Sequence, residues 1–182
     1  MKRIFIISSI LVLLGVVFYT AYHLMFPKRK IYNSEVRIPE GLKADLVVVF
    51  KDKRKMVLYA GSKEIKTYSI SLGKNPTGHK QKESDKKTPE GNYILDARNP
   101  NSKYHLAIHI SYPNEQDKIN AEKSGVSPGG DIMIHGMPNK LEFLEDYYAN
   151  TDWTDGCIAV TNYEIEEIWQ AVDDGTPIII YP

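Results

Sequence analysis

The chain has 182 residues, with 23 basic and 23 acidic side chains, 42% apolar residues and one cysteine. That length accommodates one membrane segment and one domain of ordinary size, and the apolar content is too high for a disordered chain. Zero net charge argues against general nucleic-acid binding, a lone cysteine excludes an intrachain disulfide, an iron–sulfur cluster or a multi-cysteine zinc site, and no glycine-rich phosphate loop is present to bind a nucleotide.

The neutrality hides an asymmetry. Residues 1–30 carry five basic groups (Lys2, Arg3, Lys28, Arg29, Lys30) and no acidic one, so the rest of the chain has a net charge of −5. Between the two basic clusters, Ile4 to Phe26 is uncharged over 23 residues. A helix rising about 1.5 Å per residue crosses a hydrocarbon core with about 20 residues. Tyr19, Tyr22 and His23 crowd one end, as at a membrane–water interface. The run exceeds a usual signal core, and no small-x-small cleavage site is evident near Thr20 or Ala21. The expectation is a transmembrane anchor over 1–26, inserted in the cytoplasmic membrane with the bulk of the chain outside the cytoplasm. A linker over 27–44, with Pro27, Pro39 and Gly41, follows.

Over 45–182 the pattern predicts a mainly β domain. Asp45–Phe50 and Lys55–Ala60 flank a charged KDKR turn, a hairpin signal. Glu64–Leu72, Asn92–Asp96, Tyr104–Tyr112, Asp131–His135 and Thr176–Tyr181 read as further strands. Helices are expected over Glu115–Lys123 and Lys140–Tyr148. A third begins at the capping box Thr161–Glu164, whose Ile165, Ile168, Trp169 and Val172 share one face until Gly175 and Pro177 stop it.

The candidate site is one histidine and one cysteine. His135 ends an apolar strand and is followed by Gly136. Cys157 ends the polar turn Asp152-Trp153-Thr154-Asp155-Gly156-Cys157. A cysteine nucleophile needs a base, something to orient the base, and amide donors for the oxyanion. Gly156 allows a tight turn whose main-chain N–H groups converge. A helix starting near Thr161 would lower the thiol pKa by its positive end. A lone cysteine is more often a small buried hydrophobe. This one, however, sits in a turn rather than an apolar strand.

These residues resemble the signature of L,D-transpeptidases with the YkuD-type catalytic domain: a histidine, a gap, then Ser/Thr-His-Gly-Cys, an apolar residue and an asparagine. Here IMIHGMP precedes TDGCIAVTN, and Thr154, Gly156, Cys157, Ile158 and Asn162 match. Upstream, Thr88, Pro89, Glu90, Gly91 and Tyr93 match the family's Thr-Pro-Glu-Gly-x-Tyr run. Two positions depart from the pattern, with Asp155 for the usual histidine and Ala159 for the usual arginine. With HISYPN and PGGDIMIHG they point to the YafK-like branch, in which hydrolysis is also known. The resemblance implies an L,D-transpeptidase-like β-sandwich with peripheral helices. It also implies peptidoglycan stem peptides as substrate, no cofactor, and a thioester on Cys157. His135 would be the base and the Gly136 carbonyl its orienter. The amides of Gly156, Cys157 and Asp155 would hold the oxyanion, and water would replace the acceptor amine in a hydrolase. A non-catalytic, membrane-tethered cell-wall-binding module is the alternative from another class.

Other residues carry weaker signals. His105 and His109, four apart on a strand, lie about 13 Å from one another and cannot grip one metal ion. His79 is expected to be exposed. Lys80, Lys82, Lys86 and Lys87 read as a solvated charge run, and Asp152 as part of a solvated turn. Tyr147, Tyr148 and Trp153 could pack together or line a glycan groove.

Overall fold

The computed structural model describes residues 2–25 and 36–182, so the basic cluster at 28–30 and half of the expected linker lie outside the described residues. The first helix, α1, runs Lys2–Met25. Its apolar side chains Ile10 to Val17 and Phe18 are all exposed. Counting only described residues, no helix is long and apolar enough to cross a membrane.

The domain is one eight-stranded sheet rather than the two packed sheets of a sandwich. Its strands are β1 (Leu46–Phe50), β2 (Lys55–Ala60), β3 (Lys63–Ser69), β4 (Gly91–Ser102), β5 (His105–Ile110), β6 (Met133–His135), β7 (Ile158–Ala159) and β8 (Thr176–Tyr181). Their order is β3-β2-β1-β8-β4-β5-β6-β7. Parallel pairs β1–β8 and β6–β7 interrupt otherwise antiparallel ladders. The sheet curls: just beyond β3, Ser71 bridges to Ala159 and Gly73 to Thr154, bringing one edge to the other. A right-handed twist accumulated over eight strands favours such closure, which also leaves fewer unpaired edges.

Val47 and Val49 of β1, Met56 and Leu58 of β2, and Ile178 and Ile180 of β8 point into one core. Each alternates with a residue on the opposite face, the period of two that the sequence displays. Helix α4 (Asn162–Ala171) covers this core with Ile165 and Ile168. Both halves of its capping box form: Thr161 accepts from the Glu164 amide, and the Glu164 carboxylate accepts from the Thr161 amide. Helix α2 (Glu115–Lys123) is capped in the same way by Asn114 and Asp117. The helix expected over 140–148 is a 3-10 turn, Glu142–Leu144, followed by α3 (Glu145–Asn150). No residue of α3 is buried, and no side chain caps its start.

Two polar residues of the β1–β2 region are drawn inward. Lys51, in the charged turn, is 2% exposed and donates to the carbonyls of Gly78 and Thr88 and to Glu90 (2.8, 2.9 and 2.7 Å). Burial pulls its pKa down, against the pull of Glu90. Arg54 donates to Asp152 at 2.7 Å, and Asp152 also accepts from the Leu72 amide at 3.0 Å. Asp152 is therefore a structural anchor between two loops, not a solvated turn residue.

Candidate active site

The parallel pairing of β6 with β7 sets Ile134 opposite Ile158 and His135 opposite Ala159. Ile134 and Ile158 belong to the core. Alternation therefore turns His135 and Cys157 to the other face, together. Cys157 stands one residue before β7, so the two lie two residues apart along neighbouring segments, about 8 Å between Cα atoms from strand spacing and rise.

His135 is almost fully buried, at 3% exposure. Its Nδ1 lies 2.7 Å from the Gly136 carbonyl, which only a protonated Nδ1 can satisfy. Nε2 then carries the lone pair. Burial pushes the imidazole pKa down from 6.5 to about 4, and the bond to Gly136 only partly opposes this. Gly136 and Met137 are held in turn. The Asn162 Oδ1 accepts from the Met137 amide at 2.7 Å. A Cβ on Gly136 would meet that same oxygen at 2.6 Å. The motif asparagine therefore supports the segment that orients the histidine.

Cys157 is half-buried. Its thiol reaches the Asp131 carbonyl at 3.5 Å. Burial raises the thiol pKa, and Asp131 and Asp155 raise it further; the Met133 amide and Lys80 act the other way. The lowering expected from a helix terminus is not what dominates. Burial thus disfavours the charged form of both the thiol and the imidazole. The sulfur opens on a cleft of about 290 Å³, walled by Lys80, Glu83, Lys86, Gly130, Asp131 and Asp155.

The turn before Cys157 is stapled by Thr154. Its hydroxyl donates to the Cys157 carbonyl (2.7 Å) and accepts from the Gly156 amide (3.1 Å). That bond occupies the Gly156 N–H. Gly156 has φ 136°, and a Cβ there would meet the Lys87 carbonyl at 2.7 Å, so no other residue fits without displacing backbone. Asp155 is exposed and paired with Lys74 at 3.3 Å, which offsets its charge beside the thiol.

The other singled-out residues sort as follows. His105 and His109 bind separate carboxylates, Glu166 (2.7 Å) and Asp96 (2.6 Å). His79 is only partly exposed: its Nε2 meets Asp117 at 3.1 Å and its Nδ1 accepts from the Glu90 amide. Lys80 is 3% exposed, not solvated, and donates to Asp85 at 2.9 Å. Tyr147, Tyr148 and Trp153 pack on one another, and Trp153 meets the His135 ring at 5.5 Å. A second cavity, of about 310 Å³, runs beside α3 and is lined by Glu145, Ala159 and Glu164 without the cysteine. Burial raises both carboxyls, and Asp146 adds to the rise at Glu145.

The sequence reading missed Asp131 and Tyr104. Asp131 adopts φ 55°, uncommon for a residue with a side chain, and the Gly129–Gly130 pair before it is the one signal of a tight turn there. Tyr104 carries no motif and reaches the site only through the β4–β5 hairpin.

Fold and site together define a class: a mainly β domain with peripheral helices, whose histidine ends one of two parallel strands and whose cysteine immediately precedes the other, where a curled sheet closes. The L,D-transpeptidase catalytic domain (YkuD) model matches residues 44–180, and the chain belongs to that family. It is 31% identical over 132 residues to the protein of Escherichia coli (strain K12) named among the L,D-transpeptidases as YafK, covering 69% of this chain and 46% of that one. Among solved structures it is similar to the helical cell shape determining protein Pgp2 from Campylobacter jejuni. The TM-score there is 0.57 at 25% identity, over 84% of this chain and 50% of the other. Bd1075 of Bdellovibrio bacteriovorus aligns with a TM-score of 0.53 at 27% identity, over 84% of this chain and 51% of that one. The chain thus spans about half the length of these relatives.

Proposed function

We propose that the chain is a cysteine-dependent peptidoglycan L,D-transpeptidase that carries its stem-peptide substrate as a thioester on Cys157. The observation that carries this reading is the meeting of β6, which ends at His135, with β7, which Cys157 immediately precedes, with Nδ1 of the histidine fixed by the Gly136 carbonyl and the sulfur open to a cleft. In this reading the Cys157 Sγ attacks the carbonyl of the third stem residue while its proton passes to the His135 Nε2. The Cys157 and Asp155 amides meet the oxyanion, each worth roughly 3–4 kcal/mol, since Thr154 already takes the Gly156 amide. The C–N bond to the D-alanine breaks, and the imidazolium returns its proton to the leaving amine. A buried histidine without a carboxylate partner makes an acidic imidazolium, which suits that return. An acceptor amine then attacks the thioester carbonyl, His135 takes its proton, the C–S bond breaks, and the proton passes from the imidazolium to the departing Cys157 sulfur.

Asp155 in place of the family histidine bears on the acceptor. It puts a carboxylate, rather than an imidazole, at the rim of the cleft. Water in place of the amine would make the same site a hydrolase. Peptidoglycan lies outside the cytoplasmic membrane. In this reading the apolar N-terminal residues 1–26 hold the chain at that membrane, with the domain on the extracytoplasmic side.

One assay tests the proposal. Purified protein is mixed with disaccharide-tetrapeptide and the products are read by mass spectrometry, with Cys157→Ala as control. Cross-linked dimers are expected from the native chain and none from the variant. Freed stem products alone would replace transfer with hydrolysis. Sacculus binding that survives Cys157→Ala, with no turnover and no carbapenem adduct on the cysteine, would leave a binding module.

A further inference from the structure

His135 is enclosed by two aromatic rings from separate parts of the chain. Tyr104, at the tip of the β4–β5 hairpin, stacks on the imidazole at 4.5 Å between centroids and 29° between planes. Trp153, from the turn before Cys157, meets it edge-on at 5.5 Å and 67°. The two aromatics touch one another at 5.7 Å.

Each ring is fixed from behind. The Tyr104 carbonyl accepts from the Gly136 amide at 3.0 Å. Asn139 holds the hairpin tip three times: its Oδ1 accepts from the His105 amide, its Nδ2 donates to the Ser102 carbonyl, and its own amide donates to Lys103. His105 takes φ 65° to turn the tip inward. Trp153 follows Asp152, which Arg54 holds, and leans on Tyr148 at 4.9 Å. Tyr104 is 38% exposed and therefore no core residue, yet its face lies on the one ring that must be correctly aimed. Cys157 immediately precedes β7, the strand paired with β6, and the Gly136 carbonyl takes Nδ1. Burial and that carbonyl act on the imidazole, and no ionised side chain does.

We propose that Tyr104 and Trp153 are positioning residues, an aromatic clamp that holds His135 in the single orientation able to serve Cys157. The Gly136 carbonyl fixes the tautomer but leaves the ring free to swing about that bond. The stacked and edge contacts remove the swing and keep water off the ring. Without them the imidazole gains solvent, is protonated more readily and spends less time facing the sulfur. The clamp rests on the reading of His135 as the base, but its effect on the ring is measurable without turnover.

The test uses Tyr104→Leu, Tyr104→Phe and Trp153→Leu in the full chain. The His135 ring titration is followed by NMR, with His135→Gln to assign its signals, alongside pH–rate profiles on disaccharide-tetrapeptide. Tyr104→Leu should move the His135 midpoint up by about one pH unit and carry the acid limb of the rate with it. It should lower kcat by about tenfold to a hundredfold, with KM within about twofold. Tyr104→Phe, which keeps the ring, should stay within about twofold of the native chain in both. Trp153→Leu should act like Tyr104→Leu, and it carries the test should the hairpin variant fail to fold. A His135 midpoint unchanged in either folded leucine variant overturns the clamp, as does a phenylalanine variant as damaged as the leucine one. A native chain that turns over nothing overturns the proposed function, while the titration still decides the clamp.

Discussion

The two flanks of the candidate site are built differently. The 74–90 loop, which walls the cysteine's cleft, is pinned by buried charge. Lys51 reaches Gly78, Thr88 and Glu90, and Lys80 is held by Asp85. Burial alone would raise the Asp85 carboxyl, but the amides of Gln81, Lys87 and Lys82 and the Lys80 ammonium outweigh it and hold it low. The 142–150 segment on the other flank has none of this. Its helix α3 buries no residue and starts without a side-chain cap, and Phe143 in the turn before it is 79% exposed. Its ties to the domain include one hydrogen bond from Ser71 to the Tyr148 carbonyl and the Tyr148–Trp153 contact. Local stability follows buried contacts and satisfied polar groups, so one flank is a fixed wall and the other opens at low cost. A fixed cleft wall beside a yielding flank would suit the transfer proposed above, which admits two substrates in turn.

The largest way to break this contrast is Lys51→Met. Removing the ammonium leaves Glu90 and two carbonyls without it, and urea unfolding should show a loss of about 3–5 kcal/mol. An effect under 1 kcal/mol would deny the wall its rigidity. His135, on the strand between the flanks, sharpens the picture through pH. Its pKa is about 4 when folded against 6.5 as the ordinary value. Protons are therefore taken up on unfolding between those values. The histidine's share of stability is full above about pH 6.5 and is lost as the pH falls through about 4, an acid penalty of about 3 kcal/mol. Denaturation curves from pH 7 to 4 on the native chain and His135→Gln measure it, and the variant should lack that slope. Thr161→Ala removes the hydroxyl of a complete capping box at α4 and should cost about 1 kcal/mol in the same assay. Phe143→Ser, on the yielding flank, should change stability by less than about 0.5 kcal/mol. A loss of 2 kcal/mol there would mean that the flank is packed after all.

Much of the fold was legible in the sequence. The first two strands and the last fall where alternation and the KDKR turn put them, because half-buried strands must show a period of two. The capping box at Thr161 announced α4 because its side-chain bonds are local. Other features were hidden for an equally physical reason. β7 has two residues, too few for any period to register. β4 runs on to Ser102 through Pro100, because pairing with β5 sustains a strand whose own residues do not ask for one. Lys80 looked solvated, and Lys51 in its charged turn gave no sign of burial, because nothing near them in sequence reveals that loops more than twenty residues away, or a turn folding back, will bury them.

The same division holds at the site. The residue types were set by local spacing: a histidine at a strand end before glycine, and a cysteine after a threonine-bearing turn, each readable from its neighbours. That Thr154 staples that turn, that Asn162 backs Gly136, and that Tyr104 lies on the imidazole are outcomes of which strands pair and where the sheet closes. Chain neighbours dictate turns, caps and alternation because those bonds span a few residues. The shift in the histidine's proton affinity and the company of the thiol depend on burial by distant segments, and only the assembled sheet decides those.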